Sequence, residues 1–331
     1  MRLLLSLILL SISIPSLAAT AIITSAEMDH DSITIAGSNF EPTNPTIFWD
    51  DVQSNMISQK AHDGDAVLTG PGLRWLYGGK LKEMPVTFQS STKTRGGSLG
   101  TSYLGEGPGG YLRQPLLPDL ASLKRMMLVS WWYKPSESPS DQGGSNKFIR
   151  VWDHTNGYGT RISWTHMHFT CNNDTTWGKW PGNVNEWNHH LIYVDLEKSN
   201  VKTWVNGQLS IDAKCTKHIN WPDNQLFIGL IGFDHGSDAY KTMKTNLDDI
   251  YVGTSLARVE ISNSSSWSQD FISEILPATE WSTKKIVAKA HKGVVDLSTN
   301  LYVYVFDKDG IVNTNGIKVS CSKCPKPPQP L

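Results

Sequence analysis

Apolar and polar side chains alternate with a period of two along much of this chain, the pattern of strands with one face buried. The clearest stretch is 186–208, EWNHHLIYVDLEKSNVKTWVNGQ. There His190, Ile192, Val194 and Leu196 alternate with His189, Leu191, Tyr193 and Asp195. The polar run Glu197-Lys198-Ser199-Asn200 supplies a turn, VKTWV returns, and Asn206-Gly207 is a further turn signal. The spacing predicts a β-hairpin. Similar runs predict strands at TIFWDDV (46–52), PVTFQSS (85–91), LKRMMLVSWWYKP (123–135) and KFIRVWD (147–153). TRISWTHMHFTC (160–171) reads as one strand, and 172–185 as a loop carrying Trp177 and Trp180. The glycine-dense stretch 94–110 reads as a surface loop, or as a rim over a groove bearing Arg95, Tyr103 and Glu106. It lacks the spacing of a phosphate loop.

The ends of the chain have their own strands. AIITSAEMDHDSITIAGSNF (21–40) predicts two, followed by a proline-punctuated linker at 41–45. ARVEI (257–261), KKIVAKA (284–290), LYVYVFD (301–307) and NGIKVSC (315–321) predict more, with DKDG as a turn. Glycine and proline are plentiful and long 3.6-period stretches are absent, so the fold class is all-β.

A Trp, a His two or three residues on, a strand ending in Asp, a short turn and a strand closing on V-N-G resemble the laminin-G and concanavalin A-like β-sandwich superfamily. LFIGLIGFD (226–234) and then NLDDIYVG (246–253) stand where that family has its closing strands. The resemblance covers roughly residues 46–255 and implies a jelly-roll sandwich. That fold hosts lectins, glycosidases, lyases and adhesion modules, so it implies no single activity. ITIAGSNF resembles the early strands of an IPT/TIG immunoglobulin-like domain, and WSTKKIVAKAHKG with LYVYVFDKDGIVNTNGIKV resembles its later ones. The pair implies a jelly roll inserted into a split immunoglobulin-like domain formed by 20–45 and 256–321. The alternative is an independent C-terminal β-domain with a short N-terminal arm.

Composition narrows the setting. Residues 1–19 read as a secretory signal peptide, with Arg2, the apolar run LLLSLILLSISI and small residues at Ser16-Leu17-Ala18. The run is too short to span a bilayer, so a secreted or periplasmic protein without membrane insertion is expected. Net charge is −1, which leaves no basic field for nucleic acid. The 331 residues, 39% hydrophobic, suffice for a large sandwich and a small domain. Four cysteines in an exported chain predict Cys171–Cys215 and Cys321–Cys324; the C-x-x-C has neither a thioredoxin-like setting nor a second ligand pair at zinc spacing. Residues 322–331 form a proline-rich tail.

Candidate chemistry follows from alternation. KFIRVWD places Phe148, Arg150 and Trp152 on one face, and TRISWTHMHFT places Ile162, Trp164, His166 and His168 on one face. Side by side these make a polar, aromatic groove, suited to stacking sugar rings and fixing carboxylates. The expected ligand is a polysaccharide on the concave face, held by Trp152, Trp164, Arg150, Trp177 and Trp180. The same groove resembles that of jelly-roll polysaccharide lyases, which implies Arg150 or Arg161 neutralising a uronate, His166 or His168 as base, and Tyr158 or Tyr193 as acid. The alginate-lyase motifs R-x-E-L-R, Q-I-H and Y-x-K-x-G-x-Y-x-Q are absent, as is the glycosidase triplet E-x-D-x-x-E. His166 and His168 could instead share a metal. Resemblance to relatives with a structural Ca²⁺ at the seam of first and last strands implies Asp249 and then Asp51 as ligands. A non-catalytic adhesion protein with a protein partner is the third reading.

Overall fold

The computed structural model describes residues 20–67, 74–75, 86–93, 99–106, 110–116, 125–139, 147–153, 160–165, 168–216, 225–234, 240–268, 272–291, 293 and 295–321. Among the described residues the fold is all-β with one short helix. The first strands are β1 (Ile22–Asp29), β2 (Ser32–Ser38) and β3 (Thr46–Asp50), followed by α1 (Gln53–Gln59). Then come β4 (Thr87–Lys93), β5 (Leu99–Glu106), β6 (Tyr111–Leu112), β7 (Met126–Pro135), β8 (Lys147–Trp152), β9 (Arg161–Thr165), β10 (His168–Cys171) and β11 (Asp174–Trp177). The middle of the chain gives β12 (Asn188–Asp195), β13 (Asn200–Val205), β14 (Gln208–Lys214), β15 (Phe227–Asp234) and β16 (Lys244–Gly253). The rest are β17 (Arg258–Ser262), β18 (Ser273–Leu276), β19 (Ala278–Trp281), β20 (Lys285–Lys289), β21 (Tyr302–Phe306) and β22 (Ile317–Cys321).

Two sheets make the large jelly-roll sandwich. One runs β14-β13-β12-β7-β16-β5-β4, with β3 also on β16; the other runs β11-β10-β9-β8-β15-β6. Their facing side chains form one core that includes Trp131, Phe148, Trp164, Ile192, Val194 and Ile231. The 186–208 hairpin is central: His190 pairs with Val205 and Asp195 with Asn200, while the other edge of β12 pairs with β7 over eight consecutive residues. Its alternation holds, since His190, Ile192 and Val194 are fully buried in the core while Leu191 and Tyr193 face the other way. The disulfide Cys171–Cys215 ties the end of β10 to the residue after β14, and so one sheet to the other.

A third sheet collects both ends of the chain, in the order β18-β17-β21-β22-β1-β2-β20-β19. Strand β1 lies parallel to β22, with Ala26 opposite Val319, and β2 lies antiparallel to β20. Only Pro277 separates β18 from β19, yet they are the two ends of this order, so the sheet curls back on itself. Proline has no N–H to continue a ladder, which suits it to that corner. Ile33, Ile35, Val259, Ile286 and Val303 fill the enclosed core. The chain leaves for the large sandwich and returns from it at one point, where Thr254 N donates to Pro45 O at 2.9 Å.

Several expectations change. Residues 160–171 are two strands, not one: β9 ends at Thr165, β10 starts at His168, and Phe169 pairs with Trp164. The glycine-dense 94–110 is not loop throughout, because β5 joins the sandwich's eight-stranded sheet and Tyr103 is fully buried. Its OH donates to Asp50 Oδ2 at 2.6 Å, on a carboxylate that also accepts from Trp75 Nε1 at 2.7 Å and Val52 N at 2.9 Å. Glycine is needed at 105 because a Cβ there would collide with the backbone of Gly110. The loop expected at 172–185 contains the edge strand β11. The expected signal peptide, Arg95 and the expected proline-rich tail lie outside the described residues, as does Cys324 of the second expected disulfide.

The disulfide closes a loop of 44 residues across two sheets. Replacing both Cys171 and Cys215 by Ala should lower unfolding stability by about 4 kcal/mol on the loop-closure account. Denaturant unfolding of the oxidised wild type beside the double variant measures it, and equal midpoints would contradict the stapling role.

Candidate functional site

The outward face of the six-stranded sheet carries part of the expected groove. On β8, Phe148 and Ile149 both enter the core because the register shifts between Lys147 and Ile149, so Phe148 does not share a face with Arg150 as expected. Arg150 and Trp152 point outward, opposite Ser163 and Arg161 of β9, and Arg150 Nε donates to Ser163 Oγ at 3.2 Å. Trp152 lies against Gly229, where any Cβ would stand 2.8 Å from the ring. His168 and Thr170 of β10 continue this face, and a hollow of about 240 Å³ opens among Lys147, Arg161, Ser163, Thr165, His168 and Thr170. His168 Nδ1 meets Thr165 Oγ1 at 2.9 Å, and its ring lies 4.6 Å from that of Trp177, which is 68% exposed. Lys147 Nζ lies 3.6 Å from Asp234 Oδ2. Burial, and then the charge of Lys147, push the His168 pKa below its ordinary value.

The remaining expected residues go elsewhere. Trp164 is a core residue, 3% exposed, packed on Trp131, Phe148 and His190, on the face of β9 opposite Ser163 and Thr165. Trp180 packs on the same core and donates from Nε1 to His190 Nε2 at 3.0 Å, so it holds the fold rather than offering a free ring. Tyr193 belongs to the other sheet, where it packs with Leu128, Tyr251 and Ile275 and its OH donates to Asp195 Oδ2 at 3.3 Å. The sandwich core separates it from His168, so it cannot serve as acid to a base there. His166 and Tyr158 lie outside the described residues.

A larger cleft, of about 720 Å³, lies between the outward face of the sandwich's eight-stranded sheet and the curled terminal sheet. Its floor comes from neighbouring strands: Trp132 pairs with His189 across β7 and β12, and Leu191 with Trp204 across β12 and β13. Trp132 and His189 stack with centroids 5.0 Å apart, and Ser130 Oγ meets His189 Nε2 at 2.6 Å. The opposite wall comes from β17, β18 and β21. Arg258 Nε donates to Glu260 Oε1 at 2.6 Å, the guanidinium lies 3.5 Å over the Phe306 ring, and Ser273 Oγ donates to Glu260 Oε2 at 2.5 Å. Trp267 packs edge-on against Phe306 at 4.9 Å. Trp187, Asn185, Asn206 and Lys202 complete the rim, and Lys198 Nζ bridges to Asp309 Oδ1 at 3.2 Å. Four indoles thus meet planar amide, carboxylate and guanidinium groups. Sequence reasoning missed the cleft because its walls lie far apart in the chain. The remaining signal was the set of aromatic and polar residues left on the outer face of the 186–208 hairpin.

Asp51 turns its carboxylate to the start of α1, accepting from Ser54 N and Ser54 Oγ, both at 2.8 Å. Asp249 is buried beside Glu274 and His291, with donor atoms within 4.8 Å of one another.

No family model and no curated protein matches the chain. Among solved structures it is similar to domain 4 of a GH43 extracellular arabinanase from Geobacillus stearothermophilus, solved with arabinotriose. That match has 18% identity, covers 64% of this chain and 93% of that one, and has a TM-score of 0.37. It is also similar to an alginate lyase from Corynebacterium sp. at 13% identity, covering 50% and 79%, with a TM-score of 0.33. The binding domain of botulinum neurotoxin serotype D matches at 14% identity over 47% of this chain, with a TM-score of 0.32; the chain spans 39% of that domain's length. All three are distant likenesses.

Replacing Lys147 by Gln removes the smaller cause of the His168 shift and leaves burial. The imidazole should then titrate closer to, but still below, its ordinary value, as read from its ring-proton NMR shift against pH. An unchanged titration would remove Lys147 from the groove's electrostatics.

Proposed function

We propose that this is an exported carbohydrate-binding protein that holds an extracellular polysaccharide in the cleft between the sandwich's eight-stranded sheet and the terminal sheet. The observation that carries the reading is the convergence of Trp132, Trp187, Trp204 and Trp267 on one 720 Å³ cleft rimmed by charged and amide groups. Sugar rings present apolar C–H faces that stack on indoles. Their hydroxyls pair with planar carboxylates, amides and guanidinium groups, and those are the groups at the rim. In this reading the terminal sheet, an immunoglobulin-like domain split by the insertion, is a wall of the binding site as well as a spacer.

A second reading, a polysaccharide lyase, is favoured by the six-stranded face. There a His168 imidazole held toward its neutral form stands beside Lys147, Arg150 and Arg161. A neutral imidazole can take the C5 proton of a uronate whose carboxylate is bound by the cations, while the C4–O bond breaks and water protonates the departing oxygen. His168→Ala should then abolish formation of unsaturated ends, followed by ultraviolet absorbance, and leave binding in place.

Affinity electrophoresis of the mature protein through gels cast with acidic and neutral polysaccharides tests the main reading. At least one polymer should retard the wild type. Trp204→Ala and Trp267→Ala should each weaken binding by about 2 kcal/mol, roughly 30-fold in Kd. Unchanged mobility in every gel would overturn the carbohydrate reading and favour adhesion to a protein partner. Retardation lost with Trp177→Ala, but kept in both cleft variants, would move the ligand to the six-stranded face.

A further inference from the structure

Asp249 on β16, Glu274 on β18 and His291 just after β20 come from two different parts of the fold. Asp249 belongs to the large sandwich; Glu274 and His291 belong to the terminal sheet. Their donor atoms all lie within 4.8 Å of one another, and Asp249 and Glu274 are 5% and 2% exposed. The His291 side chain is 8% exposed and its ring packs 4.7 Å from that of Trp49. Its Nε2 lies 3.2 Å from Ile275 O, a carbonyl that can only accept, so Nε2 carries the proton. The other nitrogen, Nδ1, is buried without a hydrogen-bond partner and stands 3.4 Å from Asp249 Oδ2.

Nδ1 therefore faces carboxylate oxygens across a nearly dry gap, a position that a cation would bridge. A metal-bound histidine usually donates its far ring N–H to a carbonyl or carboxylate, which fixes the ring, and His291 has such a bond to Ile275 O. We propose that Asp249, Glu274 and His291 bind one divalent transition ion of the zinc class, which clamps the large sandwich to the terminal sheet. One imidazole nitrogen and two carboxylates match zinc's preference for mixed nitrogen and oxygen ligands, whereas calcium takes six to eight oxygens. The site lies beside the apolar layer of Leu128, Tyr193, Tyr251 and Ile275, so the ion fixes the relation of the two walls of the cleft. This stands independently of the carbohydrate reading.

The test is calorimetric titration of Zn²⁺ into the full chain, expressed without an affinity tag and stripped with chelator, alongside thermal unfolding. One equivalent should bind and raise Tm. His291→Gln and Glu274→Gln, each checked for wild-type circular dichroism, should bind at least about tenfold more weakly and lose the Tm rise. In the wild type, Co²⁺ should give the intense visible band of a low-coordinate site with a nitrogen ligand, a readout that needs no variant to fold. No heat with Zn²⁺, wild-type affinity in His291→Gln, the pale spectrum of all-oxygen octahedral Co²⁺, or a response to Ca²⁺ alone would each overturn the proposal.

Discussion

The structure depends on a sheet buried on both faces. In β7, Met127, Leu128, Val129 and Trp131 have no exposure, although alternate residues point in opposite directions. One set enters the sandwich core; the other meets the terminal sheet through Leu128, Leu191, Tyr193, Tyr251 and Ile275. A sheet covered on both sides cannot shift register without moving apolar groups into the wrong layer, so the eight-residue pairing of β7 with β12 is strongly fixed. That pairing also sets which side chains face the terminal sheet.

The cleft is where this second layer stops being apolar. At one end Tyr193, Tyr251 and Ile275 seal the two sheets together; at the other, Trp132, His189 and Trp204 keep the same outward direction and leave a gap. Wide rings on a rigid sheet hold their positions before any ligand arrives, which reduces the ordering cost of binding. The opposite wall is equally fixed, since Arg258 is held by Glu260, by Leu256 O and by the Phe306 ring. The ion pair restrains the guanidinium and at the same time leaves planar polar groups along the wall.

Much of the architecture was legible in the chain. The all-β class followed from the pattern, and strands such as β3, β12, β13 and β20 fall on runs of alternating residues because local alternation reports local burial. Cys171–Cys215 followed from an exported chain and two strand ends. The candidate site was harder to read, for identifiable reasons. β10 pairs antiparallel with β9, Phe169 opposite Trp164, so Trp164 faces inward and His168 outward instead of sharing one face, which alternation alone cannot reveal. A bulge moves Phe148 into the core, and β5 was hidden because glycine suppresses strand signal where Gly105 must meet Gly110. The cleft needs Trp204 and Arg258 to face one another from different sheets, and no local periodicity carries that information.

The most direct measurement is amide hydrogen–deuterium exchange of the mature protein with and without an oligosaccharide of the polymer that retards it. Binding in the cleft predicts slowed exchange in β13 and the adjoining Asn206-Gly207 turn, together with β17 and the 306–312 segment, and no change in β9 to β11. Protection confined to β9 to β11, or no protection anywhere at saturating ligand, would contradict a glycan held between the two walls.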